Sequence, residues 1–255
     1  MSRTLDQQIV LVTGASRGLG AAIARSFARE GARVAINYLQ SRDKAEALAA
    51  ELGENATAFQ GDVRSADSVH DLIASVTAHF GGAPTTVVHN ALADYSFNGD
   101  ARDTLETLSI QSLDAQNLTT LHGALHLIQA ATPAMAEAGF GRIIHIGTNL
   151  VQNPVVPYHD YTATKAALLA LTRTAAAELG PKGITVNMVS GGLLRTTDAS
   201  SATPDAVFDL IAGSTPLRTV TTPEEAADAV LFFASPWARA VTGQNLIVDG
   251  GLVFG

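Results

Sequence analysis

Tyr161 and Lys165 are the residues whose types and spacing most directly indicate chemistry. They stand four positions apart in the helical stretch Tyr161-Thr-Ala-Thr-Lys165, so a phenol and an ammonium are expected on one helix face. A nearby ammonium favours the phenolate and would lower a tyrosine pKa from its ordinary value of about 10. Chance alone places such a pair in roughly one sequence in twenty, so the spacing indicates an acid–base pair only together with a cofactor site.

A glycine-rich segment near the N-terminus, Thr13-Gly-Ala-Ser-Arg-Gly-Leu-Gly20, indicates such a site. The apolar run Ile9–Val12 precedes it and a helical run follows it, so strand, turn and helix come in that order. Glycines permit the tight turn and let backbone N–H groups approach a pyrophosphate at a helix N-terminus. The segment therefore predicts a dinucleotide site, and the expected contacts are Gly14, Ser16, Arg17, Gly18, Leu19 and Gly20.

The composition fits a single enzyme domain over residues 1–255. The net charge of −8 argues against a nucleic-acid partner and against anionic membrane surfaces. The absence of cysteine excludes disulfides and thiolate metal sites, and no His/Asp/Glu set has ligand spacing, so we expect no metal. The N-terminus lacks the apolar core of a signal peptide and no apolar run is long enough to span a membrane, so we expect a cytoplasmic protein.

Short β-branched runs alternate with longer Ala/Leu-rich stretches, which predicts the α/β class with a seven-stranded, parallel, doubly wound sheet and helices on both faces. The predicted strands are 9–12, 33–38, 57–60, 86–89, 142–146, 184–189 and 245–248. The predicted helices are 18–30, 42–52, 66–80, 112–138, 158–179 and 223–235. Ligands bind such sheets at the carboxyl ends of the strands, and segment 190–221, rich in Gly, Ser and Thr, is predicted to be an irregular lid over that edge.

Seven motifs follow one another along the chain: the glycine loop, Gly61-Asp62-Val63, Asn90-Ala91, Asn117, Tyr161-x-x-x-Lys165, Asn187-x-Val189 and Val248-Asp-Gly-Gly251. In their order, these motifs resemble those of the short-chain dehydrogenase/reductase family from about Gln8 to Gly251. Within the family the chain is most similar to bacterial 3-oxoacyl-acyl-carrier-protein reductases. The resemblance implies a Rossmann-type domain and an NAD(P)(H)-dependent oxidoreductase.

The resemblance also implies roles for single residues. Adenine is expected near Asp62 and Val63, the ribose on Asn90 and Lys165, and the nicotinamide opposite Tyr161. Asn117 is expected to anchor a water chain that returns protons. The remaining expected cofactor contacts are Asn37, Tyr38, Ser41, Arg42, Ala91, Gly192, Leu194 and Thr196.

Four positions depart from the family pattern. Thr148 stands thirteen positions before Tyr161, where the family normally has a serine that binds the substrate carbonyl. Threonine offers the same hydroxyl with a stiffer χ1, and the alternative is a threonine that only caps a turn. His89 and Leu92 flank Asn90-Ala91, and Gly191 replaces the usual proline, which adds freedom to the loop over the nicotinamide. His89 and His145 themselves are expected to be hydrogen-bonded core histidines.

The choice between NAD and NADP follows from charge. NAD-binding sheets of this type place an acid at the end of the second strand, to hold the ribose 2′-hydroxyl. Here Asn37-Tyr-Leu-Gln-Ser-Arg42 contains no carboxylate. Arg17 and Arg42 instead offer planar donors suited to a 2′-phosphate, so NADP(H) is the expected cofactor.

The expected reaction is hydride transfer between NADP(H) and a carbonyl carbon, with Tyr161 as the general acid and Thr148, Lys165 and Asn117 in support. The substrate stays open between a 3-oxoacyl thioester, with an acyl carrier protein as a partner, and a free small carbonyl or alcohol. Lys182 is the only basic residue matched to a carrier contact near the mouth of the site. A non-catalytic NADP(H) sensor is the alternative from another class.

The predicted helices 112–138 and 158–179 are more apolar than a single sheet face requires. They are expected to pair across a two-fold axis in a homotetramer that also uses strand 245–248, with a dimer as the simpler alternative.

Overall fold

The computed structural model describes residues 3–92, 102–195, 197 and 200–254. Its centre is one parallel seven-stranded sheet with the order β3-β2-β1-β4-β5-β6-β7. The strands are β1 (Ile9–Val12), β2 (Arg33–Tyr38), β3 (Ala56–Gln60), β4 (Thr86–His89), β5 (Gly141–Thr148), β6 (Ile184–Gly191) and β7 (Asn245–Val248). The order reverses direction between β1 and β4, which is where doubly wound sheets open a crevice for ligands.

Helices cover both faces of the sheet. They are α1 (Gly18–Arg29), α2 (Arg42–Leu52), α3 (Ala66–Phe80), α4 (Ile110–Asn117), α5 (Gly123–Glu137), α6 (His159–Leu179), α7 (Asp205–Ser214) and α8 (Pro223–Ala234). A π turn, Leu118–His122, joins α4 to α5. Helix α8 begins at a capping box, in which Thr222 and Glu225 each accept a backbone N–H of the other.

The alternation of side chains along the strands divides the core between the two faces. In β1, Val10 and Val12 pack with α1, α2 and α8, whereas Ile9 and Leu11 pack with α3, α5 and α6. All four are almost completely buried, so this central strand is covered on both sides, as parallel strands require. The consequence for function is a rigid sheet whose carboxyl edge carries the loops described below.

The fold class and all seven predicted strands are confirmed, with β3, β5 and β6 longer by one or two residues at an end. Two helix predictions need correction. The span 112–138 is not one uniform helix, because the π turn interrupts it. The lid is not irregular throughout, because α7 lies within it. Among the described residues, none of the helices combines the length and apolarity needed to cross a membrane.

Candidate active site

The glycine loop lies between β1 and α1. Gly14 and Gly20 let neighbouring atoms come closer to the loop backbone than a residue with a Cβ would allow. A Cβ on Gly14, whose φ is +60°, would lie 2.9 Å from the Ala91 Cα. A Cβ on Gly20 would lie 2.5 Å from the Gly14 carbonyl oxygen and 2.6 Å from Asn90 Nδ2. The loop therefore presents bare backbone at the start of α1, and this cradle fits the pyrophosphate of a dinucleotide. Ser16, Gly18 and Leu19 are partly buried in the same loop, and Arg17 is exposed on it.

Asn90 and Thr13 lock this loop to the end of β4. Asn90 Nδ2 donates to the carbonyls of Thr13 and Gly14, at 3.0 and 3.1 Å. Thr13 Oγ1 accepts the backbone N–H groups of Asn90 and Ala91, each at 3.0 Å. Asn90 thus shapes the cofactor cradle with its amide nitrogen. Thr13 was not singled out from the sequence, since a threonine before a glycine turn carries no signal of this bond.

Asn37 and Tyr38 lie at the end of β2, but their side chains turn inward. Asn37 is 2% exposed; its Oδ1 accepts the Gly14 N–H at 3.3 Å and its Nδ2 donates to the Gly61 carbonyl at 3.1 Å. Tyr38 is 5% exposed and belongs to the core on the α1 face. The Asn37 side chain therefore joins the loops after β1 and β3, and the cofactor contact expected at Asn37 stays a prediction.

The polar segments that follow β2 and β3 carry charged side chains of both signs. Ser41 precedes α2, and Arg42 begins it with its guanidinium 3.7 Å from Glu46. Asp62 accepts three hydrogen bonds from the Arg64 guanidinium, the shortest at 2.7 Å, and this pairing lowers the pKa of the Asp62 carboxyl. Val63 beside it is buried. Arg64 is a rim cation that the sequence reasoning did not include.

Thr148 and Tyr161 meet at the carboxyl end of β5. Thr148 ends the strand, and its side chain is hydrogen-bonded to the Tyr161 side chain. Its Oγ1 also accepts the Leu150 N–H at 3.3 Å, so the residue caps the turn Asn149–Val151 as well. Thr148 therefore contacts Tyr161 and also caps the turn, and its binding of a substrate carbonyl stays a prediction.

Lys165 lies one helical turn after Tyr161 on α6, as the spacing predicts. Its Nζ is 5.7 Å from the centre of the Tyr161 ring and donates to the Ile146 carbonyl at 2.7 Å. Burial lowers the pKa of Lys165 to about 8. Burial also raises the pKa of Tyr161 to about 12, against the opposing effect of the Thr148 hydrogen bond. The expected net lowering of the Tyr161 pKa is thus wrong for this state of the protein, because burial outweighs stabilisation of the phenolate.

Asn117 is the last residue of α4 and is partly buried. The π turn follows it directly, and such turns leave backbone carbonyls displaced from the regular helical ladder. This local geometry is compatible with a water held at Asn117.

The lid begins where β6 ends at Gly191, beside Thr148 in β5. A Cβ on Gly192 would lie 3.0 Å from Asn149 Nδ2, which donates to the Asp249 carboxylate at 2.9 Å. Asn149 and Asp249 therefore fix the base of the lid, a pairing that the sequence reasoning missed. Leu194 is partly buried, and Thr197 lies next to Gly18. Thr196 lies outside the described residues.

Apolar side chains surround the Tyr161 phenol. Tyr158 is buried beside it, and Leu92, Leu150 and Val156 pack against the two rings. The guanidinium of Arg102 lies over the Tyr158 ring, 5.4 Å from its centre. Lys182, in contrast, lies two residues before the start of β6 and so at the opposite edge of the sheet from these residues. Its expected place near the mouth of the site is wrong, because the site is at the carboxyl ends of the strands.

Comparisons with known proteins agree with this geometry. A family model described as enoyl-(acyl carrier protein) reductase matches residues 14–253. The chain belongs to the short-chain dehydrogenase/reductase family. It is 38% identical over 247 residues to the 3-oxoacyl-[acyl-carrier-protein] reductase FabG of Staphylococcus epidermidis, covering 95% of this chain and 97% of that protein. As a member of this family, the protein is an oxidoreductase.

Solved structures of similar chains show the same short-chain dehydrogenase/reductase fold. A dehydrogenase/reductase from Sinorhizobium meliloti 1021 superposes with a TM-score of 0.87 at 32% identity, covering 99% of this chain and 97% of the other. A second structure, described as a short chain dehydrogenase/reductase family protein, has a TM-score of 0.85 at 36% identity and covers 98% of both chains.

Proposed function

We propose that the protein is an NADP(H)-dependent reductase that converts a carbonyl, in a 3-oxoacyl thioester or a related ketone, to a secondary alcohol. The observation that carries the proposal is the convergence of a hydrogen-bonded Thr148–Tyr161 pair and a buried Lys165 on a sheet edge that also carries a bare-backbone glycine loop. The nicotinamide supplies the hydride. The residues of the chain supply the proton, the orientation and the exclusion of water.

Tyr161 is the proton donor in the reductive direction. A pKa of about 12 keeps its phenol protonated near neutral pH, and the proton leaves as negative charge develops on the substrate oxygen. Thr148 can hydrogen-bond that oxygen or the phenolate, and the Lys165 ammonium stabilises the phenolate from one helical turn away. Asn117 anchors water from which the proton is replaced.

The preference for NADP(H) rests on Arg17 and Arg42. Arg42 is exposed and its guanidinium lies 3.7 Å from Glu46, and surface ion pairs of this kind contribute about 0–1 kcal/mol. A dianionic 2′-phosphate can displace such a pair, because it offers more charge and better hydrogen-bond geometry. Asn37 at the end of β2 is occupied with backbone groups, and no carboxylate takes the place of a 2′-hydroxyl acceptor at 37–42. The matching test is Arg17→Ala with Arg42→Ala, which should weaken NADPH far more than NADH.

The substrate surface favours an apolar compound with a polar or anionic handle. Leu92, Leu150 and Val156 pack around the site tyrosines, and Arg102 stands at Tyr158. A 3-oxoacyl chain fits this combination, and Arg102 is a candidate contact for the phosphate-bearing arm of a carrier or of coenzyme A. Lys182 gives no support to a carrier contact, so a free small ketone is the second candidate.

Turnover of NADPH with 3-oxoacyl thioesters, ketones and aldehydes tests the proposal. We expect the thioesters to have the highest kcat/KM, and we expect Tyr161→Phe to abolish turnover while NADPH still binds to the intact glycine loop. A Tyr161→Phe enzyme with more than a small fraction of the wild-type rate would remove Tyr161 from its role. Lack of turnover with every carbonyl, combined with tight NADPH binding, would favour the sensor alternative instead.

A homotetramer is the proposed assembly, with a dimer as the simpler alternative. Leu118 and Leu125 are 42% and 43% exposed on the segment α4–α5, and Ala166, Ala170 and Ala177 are exposed on α6. Other members of the apolar stripes, Ala124, Ile128, Leu169 and Ala176, are buried inside the monomer. The exposed remainder is a contact surface for a second copy, and β7 at the sheet edge is the proposed second contact.

A further inference from the structure

Two buried histidines lie side by side next to Lys165. His89 ends β4, and His145 pairs with it in register on β5. They are 1% and 0% exposed, their ring centres are 5.6 Å apart and their planes are nearly perpendicular. Lys165 Nζ is bonded to the carbonyl of Ile146, the residue after His145. The proposed reaction assigns no task to either imidazole.

The hydrogen bonding of His89 fixes its tautomer. Its Nε2 lies 3.2 Å from the carbonyl oxygen of Thr119 in the π turn. A carbonyl only accepts, so Nε2 carries the proton and Nδ1 is an acceptor. Gly123 permits this approach, since a Cβ there would lie 3.3 Å from the same nitrogen. The π turn and His89 are thus built against each other.

Among the described residues, the other ring nitrogens of the pair have no hydrogen-bond partner. His89 Nδ1 and both nitrogens of His145 are buried and make no hydrogen bond among the residues that the structure describes. Gln116 Oε1 and Thr120 Oγ1, on the same helical segment as Thr119, are also buried without a hydrogen-bond partner among the described residues. A buried polar atom without a partner is destabilising, and proteins commonly satisfy such groups with buried water. The arrangement therefore indicates internal water at the histidine pair.

The charge that acts on the histidine pair is positive and comes from Lys165. Within the described part of the chain, the groups that act electrostatically on His89 are His145 and Lys165, and the group that acts on His145 is Lys165. Burial, with the Lys165 charge, lowers the pKa of His145 to about 3 and that of His89 well below its usual value. Both rings are therefore neutral near neutral pH and act as dipoles beside a buried ammonium.

We propose that His145 and His89 hold ordered water beside Lys165 and act as positioning residues that solvate its ammonium and keep it directed at Tyr161. The proposal rests on the role of Lys165 in the proposed function. Neutral imidazoles supply fixed donors and acceptors without adding a charge that would repel the ammonium. An apolar side chain in place of His145 would leave Lys165 facing hydrocarbon, and burial would then lower its pKa further.

Lysine NMR tests this directly, because the chain has only three lysines, Lys44, Lys165 and Lys182. The ¹³Cε signals of lysine-labelled protein are titrated in wild type, His145→Leu and His145→Gln. Leucine removes the polar nitrogens at similar volume, whereas glutamine keeps a donor and an acceptor. Lys165→Met assigns the signal, and the exposed Lys44 and Lys182 are internal references.

We expect His145→Leu to lower the Lys165 pKa by about one unit and His145→Gln to restore most of it. The alkaline limb of the kcat/KM profile should likewise move to lower pH in His145→Leu and return most of the way in His145→Gln. Equal Lys165 pKa values in all three proteins would overturn the proposal. If His145→Leu does not fold, His89→Leu and His89→Gln provide the same comparison. The titration needs neither cofactor nor substrate, so a wild-type protein without turnover would count against the proposed function and leave this test intact.

Discussion

The buried amine of Lys165 should make the protein more stable as the pH rises above about 8. Burial lowers its pKa from 10.5 to about 8. Between these values the unfolded chain still binds a proton that the folded protein has released. Stability rises with pH wherever the unfolded state binds more protons, so the cost of burying the ammonium is fully present below about pH 8 and disappears toward pH 10.5.

The size of the effect follows from the same two values. The pKa difference of about 2.5 units corresponds to roughly 3.4 kcal/mol over the whole window, at about 1.36 kcal/mol per unit. Between about pH 7 and pH 9 the gain is about 1.3 kcal/mol, because pH 9 lies only about one unit above the folded pKa and the window extends to about pH 10.5. Tyr161 contributes to the pH dependence of stability with the opposite sign, but only between about pH 10 and 12. It therefore does not affect the change between about pH 7 and 9.

The assay is denaturant unfolding of wild type and Lys165→Met at about pH 7, 8 and 9, at one fixed protein concentration because subunit association also affects stability. Lys165→Met also loses the hydrogen bond to the Ile146 carbonyl, which changes its free energy of unfolding by the same amount at every pH. The informative quantity is therefore how steeply the free energy of unfolding changes with pH. From about pH 7 to 9 the free energy of unfolding should rise by about 1.3 kcal/mol more in wild type than in Lys165→Met. Lys182→Met removes an exposed lysine and controls for net charge. Parallel curves for wild type and Lys165→Met would show that the amine is not buried as described.

Three further predictions concern the hydroxyl, the cradle and the assembly. Thr148→Ser should keep activity and Thr148→Ala should lower kcat by roughly 10²–10³; equal rates in all three enzymes would leave Thr148 as a turn cap alone. Gly20→Ala places a Cβ 2.5 Å from the Gly14 carbonyl oxygen and should weaken NADPH binding at least about tenfold in a fluorescence titration, whereas Gly213→Ala, whose Cβ meets nothing within 4 Å, should not. Ala170→Arg should dissociate the assembly in light scattering while Ala50→Arg on exposed α2 does not; a wild-type mass near the 26.4 kDa of one chain would contradict the assembly itself.

The sheet could be predicted almost to the residue because period and composition change sharply at its strands. Runs such as Ile9–Val12 are apolar throughout, as strands covered on both faces must be, and glycine or polar residues end them. The π turn at Leu118–His122 could not be predicted, since one wider turn barely disturbs a helical pattern in an Ala/Leu-rich run. Helix α7 does have a sequence signal, because Pro204 and Asp205 are helix-start residues directly before an apolar stretch in the predicted lid.

In the site, the sequence predicts positions along the chain better than the direction of side chains. An asparagine at the end of a strand can bind a ligand or a neighbouring backbone, and only the structure shows that Asn37 and Asn90 use their amides on the loops after β1 and β3. Lys182 shows the same limit, because a basic residue matched by likeness lies at the wrong end of β6.

The spacing of Tyr161 and Lys165 predicts that they are neighbours but not that both are buried, and burial decides how the pair titrates. Desolvation acts in opposite directions on an acid and a base, which separates the phenol, at about 12, from the amine, at about 8. As the pH rises, the first proton that this pair releases therefore comes from Lys165. A pH dependence of stability near 8 therefore belongs to the amine, and the Tyr161 phenol, with a pKa of about 12, stays protonated at that pH.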